Sequence, residues 1–134
     1  MNSNSIFRPL VTFLLCGQIF LYLFSWESAY SDDAVGALLF HGADAALPQS
    51  ALVAAGDILF ALYVLAYIGT LVFARWSRCL LAALTLLGGL WIPFNGVAIS
   101  SGIEAMIGYY LTVGDGVIVA LSFFSAVRKR FARS

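Results

Sequence analysis

Charge is what this chain has least of. Of its 134 residues only 10% are Asp, Glu, Lys or Arg, while 62% are hydrophobic and the mean hydropathy is +0.95. Soluble domains are about 45–50% apolar and about 25% charged. A soluble fold of this length also leaves much of its surface wet, so water is excluded as the solvent for most of the chain. Histidine is nearly missing as well. His41 stands alone, which leaves a haem between two helices without its pair of ligands and Ser/His/Asp chemistry with one candidate base. The two cysteines, Cys16 and Cys79, form no CxxC and have no neighbouring histidine, so no zinc-type site is built from them. They are expected to be buried, inert thiols. No GxSxG, HExxH, P-loop or GxGxxG occurs. The chain is therefore expected not to be an enzyme, with no catalytic residue, metal or cofactor.

What is present in quantity is long apolar sequence. A membrane-crossing helix needs about 20 mostly apolar residues to cover about 30 Å of hydrocarbon. Four runs qualify: Pro9–Trp26, Ala51–Ala74, Cys79–Ile99 and Ala105–Val127. Lipid admits only helices and closed barrels, and these runs are too long for barrel strands. The first run exceeds the apolar core of about 7–15 residues of a signal peptide and has no A-x-A-like site after Trp26, so it is retained as a span. The expectation is an all-α integral membrane protein, a single domain over 1–134 built as a four-transmembrane-helix bundle.

Net charge is zero, with seven basic and seven acidic residues, but the two signs never mix. Arg8 precedes the first run, Arg75 and Arg78 lie between the second and third, and the tail 128–134 carries Arg128, Lys129, Arg130 and Arg133. In a four-span chain these places share one side, and cytoplasmic loops retain Lys and Arg. The opposite side receives Glu27, Asp32, Asp33, Asp44 and Glu104 without a basic residue. Both termini are expected in the cytoplasm and the protein in the inner membrane of a bacterium. The outer loop 27–50 opens with Ser31-Asp32-Asp33, a fair helix start, and Val35, Leu38, Leu39 and Ala46 offer an apolar face. A short amphipathic helix across the bundle mouth fits. Arg75-Trp76-Ser77-Arg78 reads as a tight turn, and Pro93 should bend the third helix. Trp26, Trp76 and Trp91 fall near span ends, where amphipathic rings favour the headgroup layer.

Asp115 is the residue that most needs a reason. It precedes Arg128 by about 20 Å of helix at 1.5 Å per residue, which is inside hydrocarbon, where an ionised side chain costs several kcal/mol unless paired. Glu104, Gly108, Thr112, Asp115, Val119, Ser122 and Ala126 recur at helical spacing as one small and polar stripe. Such a stripe is expected to pack inward, Gly108 and Ala126 allowing close approach and Thr112, Asp115 and Ser122 giving interhelical hydrogen bonds. Tyr110, Val113, Val117, Leu121 and Phe124 would then face lipid. Gln18, about 15 Å above Arg8, is the expected partner of Asp115. The pair is either a buried polar clasp or a proton or cation site. A second tier, with Asp57 and Asn95 roughly 25 Å up, joins Glu104 and His41 in an outer polar mouth. Taken singly, Asp57 also suits an interfacial cap, and Asn95 a turn after Pro93.

Two functions follow as expectations. The first is binding to another protein, within the membrane or at its outer face, as an accessory subunit, regulator or toxin-immunity protein, or by self-association. The second is a small oligomeric ion or proton channel or ion-coupled transporter using Asp115 and Asp57. The bilayer is a partner in both. The basic tail is too short for a nucleic-acid surface, and its charges suit anionic lipid instead.

Overall fold

The computed structural model describes residues 3–24, 48–91, 102–124 and 127–131. Regular structure among them is helical throughout: α1 (Ser3–Leu23), α2 (Gln49–Leu71), α3 (Arg75–Trp91), α4 (Gly102–Phe124) and a single turn, α5 (Arg128–Phe131). Three helices are long and apolar enough to cross a membrane, over Ile6–Leu23, Val53–Leu71 and Gly102–Phe124. Helix α3 is described for 17 residues; the expected continuation to Ile99, with Pro93 and Asn95, lies outside the described residues. So do the expected amphipathic helix, His41 and Ala126.

Boundaries differ from the sequence reading in all four spans: α2 and α4 each begin and end two or three residues earlier than the expected 51–74 and 105–127, and two further differences have local causes. Helix α1 starts at Ser3 and carries Pro9 in its second turn, where a proline removes one backbone bond and crowds the carbonyl four residues back. The link between α2 and α3 is Val72-Phe73-Ala74, so Arg75-Trp76-Ser77-Arg78 form the first turn of α3 and not the turn itself. The cause is a two-bond C-cap. Ala74 N–H donates to Gly69 O at 2.8 Å and Phe73 N–H to Thr70 O at 3.2 Å, with Phe73 left-handed at φ 60°. This is the Schellman pattern, usually closed by glycine. Phenylalanine there costs about 1–2 kcal/mol. Its ring offsets that by stacking on Phe7 at 5.8 Å and meeting Phe131 edge-on at 5.2 Å, contacts of about 0.5–1.5 kcal/mol each.

Each long helix packs against the helices before and after it, and α4 closes on α1. Neighbours run antiparallel. Phe7 of α1 meets Phe73 beyond the end of α2, whereas Tyr22, fifteen residues further along α1, meets Phe60 at the middle of α2. Arg78 at the start of α3 lies over Phe123 at the end of α4. Arg8, Arg75, Arg78, Arg128 and Lys129 therefore gather at one end, which is called the basic end below.

Glycine sets the closest approaches. A Cβ on Gly114 would sit 2.6 Å from the Leu14 side chain, and one on Gly17 would sit 2.7 Å from the Leu111 side chain. The α1–α4 seam is thus a reciprocal fit, each helix placing a leucine over the other's glycine. At the α2–α3 hairpin a Cβ on Gly69 would reach Ser77 Cβ at 2.6 Å.

The packed face of α4 is Leu111, Asp115, Ile118 and Ser122. Tyr110, Val113, Val117 and Phe124 are exposed, as expected of a lipid face, with Leu121 half-buried. The expected inward stripe is corrected at two of its members. Thr112 is exposed, its hydroxyl donating to Gly108 O at 2.9 Å in its own helix. Gly108 has open space where a Cβ would stand. A threonine that satisfies its hydroxyl locally has no need of another helix, and aliphatic Leu111 and Ile118 fill the interface more fully than Thr and Gly. The cysteines are corrected too: Cys16 and Cys79 are free, as expected, but both are exposed.

Candidate functional site

Asp115 is 2% exposed. Its carboxylate accepts a hydrogen bond from the hydroxyl of Tyr67 on α2, and Tyr67 is itself fully buried. The Gln18 side chain of α1 hydrogen-bonds the same tyrosine. One turn further out on α2, Tyr63 shares a hydrogen bond with Thr85 of α3, its ring centroid 6.4 Å from that of Tyr67. Five polar side chains thus tie all four long helices at one level. Buried polar groups are expensive only when unpaired, and this cluster pairs them.

The expected direct pair of Gln18 and Asp115 is replaced by a relay in which Tyr67 stands between them. Depth arithmetic on Cα atoms missed it because helical side chains lean toward the helix N-terminus. In α2 and α4 that direction is the same, away from the basic end, so Tyr67 reaches a carboxylate whose Cα lies well above its own. The available signal was chemical: a tyrosine deep in an apolar helix carries a hydroxyl that requires a partner.

Beside this cluster, α1 and α2 part to leave a cleft of about 280 Å³ lined by Gln18, Leu21, Tyr22, Phe60 and Tyr63. Tyr22 and Phe60 stack at its rim, centroids 3.8 Å apart and planes within 4°. The Tyr22 hydroxyl donates to Asp57 Oδ1 at 2.6 Å. Asp57 is exposed, and Tyr22 is the partner that sequence reasoning overlooked. Of the outer polar mouth, Asp57 and half-buried Glu104 are described. Asp57 is tied to α1, while Asn95 and His41 lie outside the described residues.

Toward the basic end the interior closes. Ser122 is buried and donates to Val119 O at 2.8 Å within its own helix. Thr70 and Ser77 form a second buried polar contact at 3.2 Å across the α2–α3 hairpin. Below them Phe7, Val127 and Phe131 are fully buried. Arg8 lies over Phe73 at 5.2 Å and Arg78 over Phe123 at 5.1 Å, while Arg75 Nε donates to Phe131 O at 3.2 Å. No group of three or more His, Cys, Asp or Glu residues is placed to hold a metal ion among the described residues. Comparison with protein-family models, curated proteins and solved structures finds no match to this chain.

Proposed function

We propose that the chain is a four-span protein of the bacterial inner membrane, both termini cytoplasmic, that acts by binding another protein within the bilayer or at its outer face. The supporting observation is a filled interior. The Asp115 carboxylate is occupied by Tyr67, and beneath it the basic end is plugged by Phe7, Val127 and Phe131. A cation crossing from Asp115 to that end would meet an aromatic plug surrounded by Arg8, Arg75, Arg78, Arg128 and Lys129. Both the plug and the like charges oppose it.

A sealed interior leaves the outer faces as the working surface, and those faces are apolar. Phe13 is 72% exposed, Leu86 71% and Phe124 91%. Between membrane helices apolar contact with lipid is not the driving force; packing and interhelical hydrogen bonds are. A photo-crosslinking amino acid at Thr112, on the exposed side of α4, should give one protein adduct of constant size in intact membranes. Adducts with lipid alone would contradict the binding reading. The channel or transporter reading retains one observation in its favour, since Gln18 and Tyr63 of the Asp115 cluster also face the cleft.

A further inference from the structure

We propose that the cleft between α1 and α2 is a binding site for a small lipophilic ammonium ion that carries no N–H donor, that is, a quaternary ammonium on an apolar body. Three of its five lining side chains are aromatic, and one is aliphatic Leu21. The polar side chains at the wall each have a partner within the protein, Gln18 bonding Tyr67, Tyr63 bonding Thr85 and Tyr22 bonding Asp57. A ligand is therefore offered chiefly ring surface and hydrocarbon. Aromatic surface of this kind holds quaternary ammonium groups by attraction to the ring quadrupole.

The charges around the cleft point the same way. On α2, Asp57, Phe60 and Tyr63 follow at intervals of three, one face of a helix, so the Asp57 carboxylate lies one turn outward of the lining. Behind the inner wall, Tyr67 holds the Asp115 carboxylate. A carboxylate thus stands beyond each end of the cleft, and the hydrogen bond each accepts comes from a phenol and not from a cation. The described basic residues gather at the opposite end of the molecule. A volume of about 280 Å³ is at the small end of ligand pockets, which start near 300 Å³, so the occupant is small. A zwitterionic lipid headgroup would bring its phosphate against the same carboxylates, which favours a free cation.

The test uses the full chain in non-ionic detergent with benzyltrimethylammonium as probe and neopentylbenzene, its uncharged carbon analogue, as control. The ammonium should bind saturably, and the neutral analogue about tenfold more weakly. Asp57→Asn keeps an acceptor for Tyr22 but removes the charge, and Phe60→Leu removes a ring; each should weaken the ammonium about tenfold. Tyr22→Phe releases the carboxylate from its phenol and should tighten binding a few-fold, an effect in the opposite direction that damage to the fold would not produce. Thermal unfolding of each variant confirms that it is folded. Equal binding of charged and neutral probes would overturn the proposal. So would absence of saturable binding, undiminished binding in both weakening variants, or equally effective displacement by dodecylphosphocholine, which would assign the cleft to lipid headgroups.

Discussion

At the scale of single residues, the informative comparison is between a carboxyl that is buried and one that is merely enclosed by apolar sequence. Asp115 is buried with a hydroxyl pointed at it, and Asp57 is exposed with a hydroxyl pointed at it. In each case a tyrosine from another helix supplies the bond. For Asp115 this makes a definite stability prediction. Asp115→Asn still accepts from Tyr67 and should keep or raise the thermal midpoint in detergent. Asp115→Leu leaves the Tyr67 hydroxyl without the acceptor it donates to and should lose about 1–3 kcal/mol, the penalty for an unsatisfied buried group. Equal midpoints for the two variants would show that the bond does not contribute. That Asp115 requires a partner was legible in the sequence, because a carboxyl mid-span has no other way to be tolerated. Which partner was not legible, because a tyrosine reaches more than a helical turn from its own Cα and sequence spacing records only the Cα.

At the scale of elements, the apolar runs were legible and the rotation of α4 was legible only in part. Its exposed side was read from periodicity as Tyr110, Val113, Val117, Leu121 and Phe124, and all of these but half-buried Leu121 are exposed. Its packed side was displaced, because small size marks residues that allow close approach without saying which of them receive it. Gly114 and Gly17 accept leucines from across the seam, whereas Gly108 has open space. Gly114→Leu or Gly17→Leu should therefore destabilise the protein by about 1–3 kcal/mol through overpacking, while Gly108→Leu should be tolerated within about 0.5 kcal/mol. Equal losses would mean that α4 is turned toward its glycine and threonine edge after all. The α2–α3 corner offers a second test of competing magnitudes. Phe73→Gly relieves left-handed strain of about 1–2 kcal/mol but removes two ring contacts and adds chain entropy to the unfolded state. Removing a buried aromatic side chain costs about 3–5 kcal/mol. The loss exceeds the relief, so the midpoint should fall by the equivalent of about 1–4 kcal/mol. A gain would show that the corner is held by its backbone geometry alone.

At the scale of the whole molecule, the segregation of charge in the sequence and the antiparallel packing of the helices agree that the described basic residues share one end of the helices. The described basic residues meet at one end through contacts that the sequence could not specify, such as Arg75 with the Phe131 carbonyl and Arg78 over two phenylalanine rings. On the proposed topology, reporter fusions after Arg78 and Arg133 should read cytoplasm and a fusion near Asp44 the outside; a cytoplasmic signal at Asp44 would remove the four-span reading.

The closed interior is the feature on which binding and transport part. Transport requires Asp115 to be reached from both ends, and binding requires only that it hold the helices together. Ion and proton flux through liposomes reconstituted with the full chain separates them most directly. The binding account predicts flux no greater than in protein-free vesicles, unchanged by Asp115→Asn. A proton or cation flux present in the wild type and lost in a stably folded Asp115→Asn variant would contradict it.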